Sequence, residues 1–159
     1  MLNKDGVPTL EQVKSCFPQS ELLVRPKVVI ECYEEIPCNP CSTSCPFNAI
    51  YIGENINHRP SVDFDKCTGC GVCVYSCPGL AISVVQLVGN KARFKISYEF
   101  LPLPQVGEKW TAVNRQGQTI GEAEIEKVSL NKVQDKTALI QVLVDNSLLY
   151  DFITVGKKL

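Results

Sequence analysis

The stretch Cys67-Thr68-Gly69-Cys70-Gly71-Val72-Cys73-Val74-Tyr75-Ser76-Cys77-Pro78 decides how the rest of the chain is read. Four cysteines at spacings of two, two and three residues, closed by a proline, form a run of the kind that ligates cubane iron–sulfur clusters. The physical reason is reach. Three thiolates within seven residues wrap one face of a small cluster only if the backbone loops tightly around it. Gly69 and Gly71 permit that loop, because glycine accepts positive φ and lets backbone N–H groups approach the sulfurs. Cys77 is carried away on the next turn, and in such runs the last cysteine serves a second cluster. Pro78 suits the first turn of a short helix, where its missing N–H costs nothing.

A relative of this run lies upstream: Cys38-Asn39-Pro40-Cys41-Ser42-Thr43-Ser44-Cys45-Pro46-Phe47-Asn48-Ala49-Ile50. Aligned on the Cys-Pro pairs, Cys38, Cys41 and Cys45 match Cys70, Cys73 and Cys77, and Ala49-Ile50 matches Ala81-Ile82, an internal repeat of period 32. One position breaks it. Glu35 stands where the partner of Cys67 would be, and the nearest thiol is Cys32, three residues earlier.

On these motifs, residues 27–88 resemble a bacterial-type two-cluster ferredoxin. In that family each run gives three cysteines to its own cluster and a fourth to the other. The resemblance implies one cluster on Cys67, Cys70, Cys73 and Cys45, and another on Cys38, Cys41 and Cys77 with Cys32 as the fourth ligand. Both would be [4Fe-4S] centres, with the one on Cys38, Cys41 and Cys77 a [3Fe-4S] centre if Cys32 does not serve. Ile36-Pro37-Cys38-Asn39-Pro40-Cys41 and Cys77-Pro78-Gly79-Leu80-Ala81-Ile82 also resemble ferredoxin-like small subunits of FAD-dependent amino- or imino-acid dehydrogenase complexes. That second resemblance implies a flavoprotein partner and a hetero-oligomer.

Composition agrees with metal ligation. Nine cysteines without a secretion signal argue against a disulfide scaffold and for thiol ligands in a reducing, cytoplasmic compartment. Eight are assigned to the clusters and Cys16 is left over as a spare buried thiol. No run of 18 apolar residues marks a transmembrane helix, and the opening Met-Leu-Asn-Lys-Asp-Gly lacks the apolar core of a signal peptide. The net charge of −1 divides into −3 over residues 1–90 and +2 over 91–159, with no basic patch for nucleic acid. Near-neutrality favours a fixed subunit over a diffusing shuttle steered by strong charge.

The fold class expected is α+β: an N-terminal extension over 1–26, a two-cluster (βαβ)2 domain over 27–90, and a small all-β barrel or sandwich over 91–159. Thr9-Leu10-Glu11-Gln12 has the form of a capping box, predicting a helix over 10–16. Lys27–Ile30, Ala49–Ile52, Val62–Phe64 and Ile82–Val88 read as strands, with short helices opened by Pro46 and Pro78. Phe94, Ile96, Tyr98 and Phe100 alternate with polar residues. Residues 110–113, 120–128 and 138–144 read as further strands, and 147–153 as a short helix. His58 reads as a solvated loop residue and Trp110 as core. The last 69 residues contain no cysteine, histidine or glycine-rich phosphate loop, so their expected task is docking.

The function expected is therefore electron transfer by a chain that is not an enzyme on its own. A freely diffusing ferredoxin with an added β domain is the alternative. A structural zinc module fits less well, because zinc sites use separated Cys-x2-Cys pairs.

Overall fold

Thr9 starts the first helix, α1 (Leu10–Cys16), through a reciprocal cap: its hydroxyl accepts from Gln12 N at 3.2 Å, and Gln12 Oε1 accepts from Thr9 N at 2.8 Å. The computed structural model describes every residue, Met1–Leu159. A 3₁₀ turn, Ser20–Val24, then buries Leu23. The cluster-run region follows as β1 (Lys27–Ile30), α2 (Pro40–Ser44), β2 (Ile50–Tyr51), β3 (Ser61–Val62), α3 (Val72–Ser76) and β4 (Ile82–Val88). The remainder is β5 (Lys91–Tyr98), β6 (Lys109–Asn114), β7 (Thr119–Ser129), β8 (Ala138–Asp145) and β9 (Phe152–Lys158). The class is α+β. No helix is long and apolar enough to cross a membrane.

The internal repeat is visible in the pairing. The first half contributes β1, α2 and β2, the second β3, α3 and β4. Each half pairs with the other: β1 with β4, registering Ile30 on Ile82, and β2 with β3, registering Ile50 on Val62, both antiparallel. Asn48 and Leu80, 32 residues apart, share a left-handed backbone at φ +51° and +52°.

The helices lie one step earlier than the prolines imply. Pro46 and Pro78 open no helix; α2 and α3 end at Cys45 and Cys77, whose ψ angles are 112° and 114°. A proline ring clashes with a helical residue before it, so the Cys-Pro pair stops a helix here instead of starting one. Pro40 takes the first-turn position instead.

The strands of 91–159 extend the sheet that β1 and β4 begin. Seven antiparallel strands run in the order β1-β4-β5-β8-β7-β6-β9, with a tight turn at Gly89-Asn90 joining β4 to β5. On β5, Ala92, Phe94, Ile96 and Tyr98 are buried and the residues between them half-buried. Phe100 falls beyond the strand and is exposed. Trp110 is in the core, edge-on to Tyr98. The helix expected over 147–153 is replaced by a 3₁₀ turn capped by Asp145, followed by β9. The driving contact is Phe152, fully buried with its ring 4.8 Å from that of Phe94. Burying an aromatic of this size outweighs a weak helical preference.

The sheet divides two cores. One holds Phe94, Ile140, Val142 and Phe152 with Val29 and Val85. The other holds Val28, Ile30, Ile82 and Val84 against Val74, Cys67 and Cys73. Alternate residues of β1 and β4 therefore serve opposite cores.

Candidate metal centre

The eight cysteines assigned from the sequence gather around two cavities. One is lined by Cys45, Cys67, Cys70 and Cys73 together with Val28 and Ile50. The other is lined by Cys32, Cys38, Cys41 and Cys77 together with Ile30 and Ile52. Each cavity takes three cysteines from one half and one from the other. The cause is local: the chain leaves α2 and α3 at the Cys-Pro pair, which carries Cys45 and Cys77 out of their own loops. No group of three or more Cys, His, Asp or Glu side chains converges on the position of one metal ion.

Backbone donors hold three sulfurs. Ala49 N–H donates to Cys45 Sγ and Ala81 N–H to Cys77 Sγ, both at 3.4 Å. These two bonds repeat at the 32-residue period, and each follows a left-handed residue, Asn48 or Leu80, that turns the next N–H back toward the sulfur. Val28 N–H donates to Cys67 Sγ at 3.4 Å. Such bonds orient ligands from outside the loop that carries them.

Gly69 and Gly71 adopt φ +70° and +89°. A Cβ at Gly69 would lie 2.5 Å from Pro26 Cβ, and one at Gly71 would lie 2.9 Å from Leu139 Cδ2. The glycines thus serve close approach of neighbouring segments as well as the turn.

Burial pushes the Cys73 thiol up to about 12, with the neighbouring Cys70, Cys67 and Cys45 adding to the rise. Burial likewise pushes Cys41 up to about 11, with Cys77 and Cys38 adding. Cys32 is raised by burial and then by Cys77 and Cys38. The charges that act on each thiol cross between the halves as the cavity walls do. Without an adjacent cation these thiols stay protonated at neutral pH; ligation to a metal removes the proton.

Residues 36–81 match the 4Fe-4S dicluster domain family. Among curated proteins, the ferredoxin-type protein NapF of Haemophilus influenzae is 41% identical over 58 residues, 35% of this chain and 33% of that protein. A subunit of the Na(+)-translocating ferredoxin:NAD(+) oxidoreductase complex of Acetobacterium woodii is 49% identical over 45 residues, 28% of this chain and 13% of that protein. A subunit of the sulfite dehydrogenase of Allochromatium vinosum is 42% identical over 62 residues, 39% of this chain and 24% of that protein. The chain carries a bacterial-type [4Fe-4S] ferredoxin domain. Its cofactors are two [4Fe-4S] clusters. The ferredoxin domain is a fraction of the whole, and the chain spans a third or less of the length of these three relatives. No solved structure matches the chain.

The ferredoxin domain fits two such clusters by its donor chemistry: each cavity offers four thiols, with backbone N–H groups already directed at the sulfurs. Cys32 lies outside the matched residues 36–81 yet lines the cavity with Cys38, Cys41 and Cys77. Cys16 lines neither cavity; its Sγ donates to Gln12 O at 3.4 Å within α1. His58 is exposed at the rim of the Cys32 cavity.

Several charged residues at the ferredoxin domain have no signal in the cysteine pattern. Lys27 Nζ donates to Phe64 O at 2.6 Å and Cys67 O at 2.9 Å. Lys95 Nζ, from β5, donates to Gly69 O at 2.8 Å. Arg59 Nε donates to Cys32 O at 3.0 Å. In the sequence, Lys95 is one polar residue among those alternating along a strand.

Proposed function

We propose that this chain is the electron-transfer subunit of an oxidoreductase complex. Cys67, Cys70, Cys73 and Cys45 hold one [4Fe-4S] cluster, and Cys32, Cys38, Cys41 and Cys77 hold the other. A thiolate-bound cubane cluster supplies one-electron redox chemistry tuned by hydrogen bonds, charge and burial. The chain's own residues bind, orient and shield the two centres, and it has no catalytic residues of its own.

The observation that carries this reading is the crossed arrangement of four thiols around each cavity. Ligands shared between loops keep the two centres close, as a short relay requires. The relatives whose names place them in oxidoreductase complexes lend support. The partner is a flavoprotein dehydrogenase, because a flavin takes two electrons from substrate and releases them singly; an amino or imino acid is the substrate class. In this reading the complex is cytoplasmic, 1–26 is an extension, 27–90 carries the clusters, and the β region 91–159 docks the partner.

Anaerobic purification of the native complex tests the proposal. The expected result is a brown protein with about eight iron and eight sulfide per chain, accompanied by a flavoprotein in stoichiometric amount. Zinc in place of iron overturns the cluster reading. An iron-loaded chain that purifies alone from native extract overturns the fixed-subunit reading in favour of a diffusing ferredoxin.

A further inference from the structure

Two lysines from different strands meet the Cys67 loop, and neither has a carboxylate. Lys27 on β1 is buried, and its ammonium reaches only the carbonyl oxygens of Phe64 and Cys67. Lys95 on β5 is half-buried, and its ammonium reaches only Gly69 O. The four ion pairs of the protein are Lys66–Asp63, Arg93–Glu126, Arg115–Glu31 and Lys158–Glu108, so neither lysine is in one. Arg93, two residues from Lys95 on the same strand, is by contrast clamped by Glu126 at 2.7 Å.

An ammonium withdrawn from water with only carbonyl partners is costly unless an anion lies nearby. At this loop the anion is the set of thiolates from Cys67 and Cys70: Lys27 holds the carbonyl of Cys67, and Lys95 that of Gly69, the residue before Cys70. Lys95 is lowered by its own burial, and the charge of Cys70 acts against that lowering. Position 71 has no side chain to stand between Lys95 and the loop, and a Cβ built there would lie 3.7 Å from Lys95 Cδ.

We infer that Lys27 and Lys95 are the cationic partners of the centre held by Cys45, Cys67, Cys70 and Cys73, and that Lys95 raises its reduction potential. The inference rests on the iron–sulfur reading proposed above. It assigns the β region a second task, since β5 reaches back across the sheet to tune the centre. Reduction by dithionite adds one electron, and so one negative charge, at this site. A cation held on Gly69 O lowers the free energy of that added charge, and without it the potential falls. Lys95 acts through the field at the centre and not as a ligand, so it is a positioning residue.

The experiment is a redox titration of the full chain followed by electron paramagnetic resonance, with Lys95→Gln, Lys95→Met and Lys95→Arg beside the wild type. The expected result is a lower midpoint in the Gln and Met variants at the Cys45/Cys67/Cys70/Cys73 centre. The Arg variant should stay near the wild type, and the other centre should be unmoved in all three. An unchanged midpoint in iron-replete Gln and Met variants overturns the inference. Loss of iron in both assigns Lys95 to holding the fold, and overturns it too. A wild-type chain that holds no iron fails at the cluster reading itself, an outcome separable from the first two.

Discussion

Arg115 Nε donates to Glu31 Oε1 at 2.7 Å across 84 residues of sequence, and the two side chains are only 13% and 9% exposed. Glu31 immediately precedes Cys32, and Arg115 sits at the tip of the β6–β7 hairpin, so this pair ties the β region to the first cluster loop. Tyr33 OH also donates to Glu31 Oε1 at 2.8 Å, and Arg115 Nη1 donates to Tyr150 O at 2.6 Å. The carboxylate beside Cys32 is thereby neutralised by a cation from the far half of the chain.

Arg115→Met should strand that carboxylate. Removing one member of a shielded pair costs about 3 kcal/mol, which in a chain of this size lowers the apparent Tm by on the order of 10 °C. The double variant Glu31→Gln/Arg115→Met should recover part of the loss, because no unpaired charge remains. Thermal unfolding of the three proteins decides the matter: a double variant no more stable than the single one would show that the stranded charge is not the cause.

Cys45→Ser should remove the centre of the second run although Cys45 belongs to the first. Cys45 lines the cavity with Cys67, Cys70 and Cys73, and Ala49 N–H holds its sulfur at 3.4 Å. Iron content and paramagnetic resonance of the reduced variant provide the check. Loss confined to the centre on Cys38 and Cys41 would contradict the crossed assignment.

Cys32→Ala should lower iron content and Cys16→Ala should leave it unchanged. Cys32 lines the cavity of Cys38, Cys41 and Cys77, whereas Cys16 is bonded within its own helix. The two substitutions remove the same atom, so any difference between them reports location. The reverse pattern of iron loss would reject the assignment.

Gly69→Ala should be more damaging than Gly71→Ala. Both glycines have positive φ, so both substitutions carry backbone strain of about 1 kcal/mol or more. At Gly69 the new Cβ also meets the Pro26 carbonyl oxygen at 2.7 Å, and backbone cannot swing aside. At Gly71 it meets the far end of the Leu139 side chain at 2.9 Å, which can rotate away. A larger drop in apparent Tm and in iron retention for Gly69→Ala is expected; equal drops would mean that φ strain alone governs both sites.

The cluster runs are legible in the sequence because their geometry is local. Cys67, Cys70 and Cys73 must face one small object within a few residues, and only a few spacings allow that. The repeat is legible for the same reason, through the matched cysteines and the Ala49-Ile50 and Ala81-Ile82 pairs; its matched left-handed turns at Asn48 and Leu80 appear only in the structure. The alternation of Phe94, Ile96 and Tyr98 marks β5, since a strand with one buried face leaves a period of two. The cap at Thr9 needs only four consecutive residues.

What the sequence does not disclose depends on contacts between distant segments. The start of β9 looks helical in isolation because its reason for being a strand is Phe152 packing on Phe94, a partner 58 residues away. The joining of β5 to β4 in one seven-stranded sheet follows from register, which the separate strand patterns do not specify. Lys95 on Gly69 O and Arg115 on Glu31 are polar residues on strand and hairpin surfaces until the chain folds back. Local spacing determined where the thiols gather; tertiary packing decided which charges surround them, because electrostatic partners are chosen by distance in space and not along the chain.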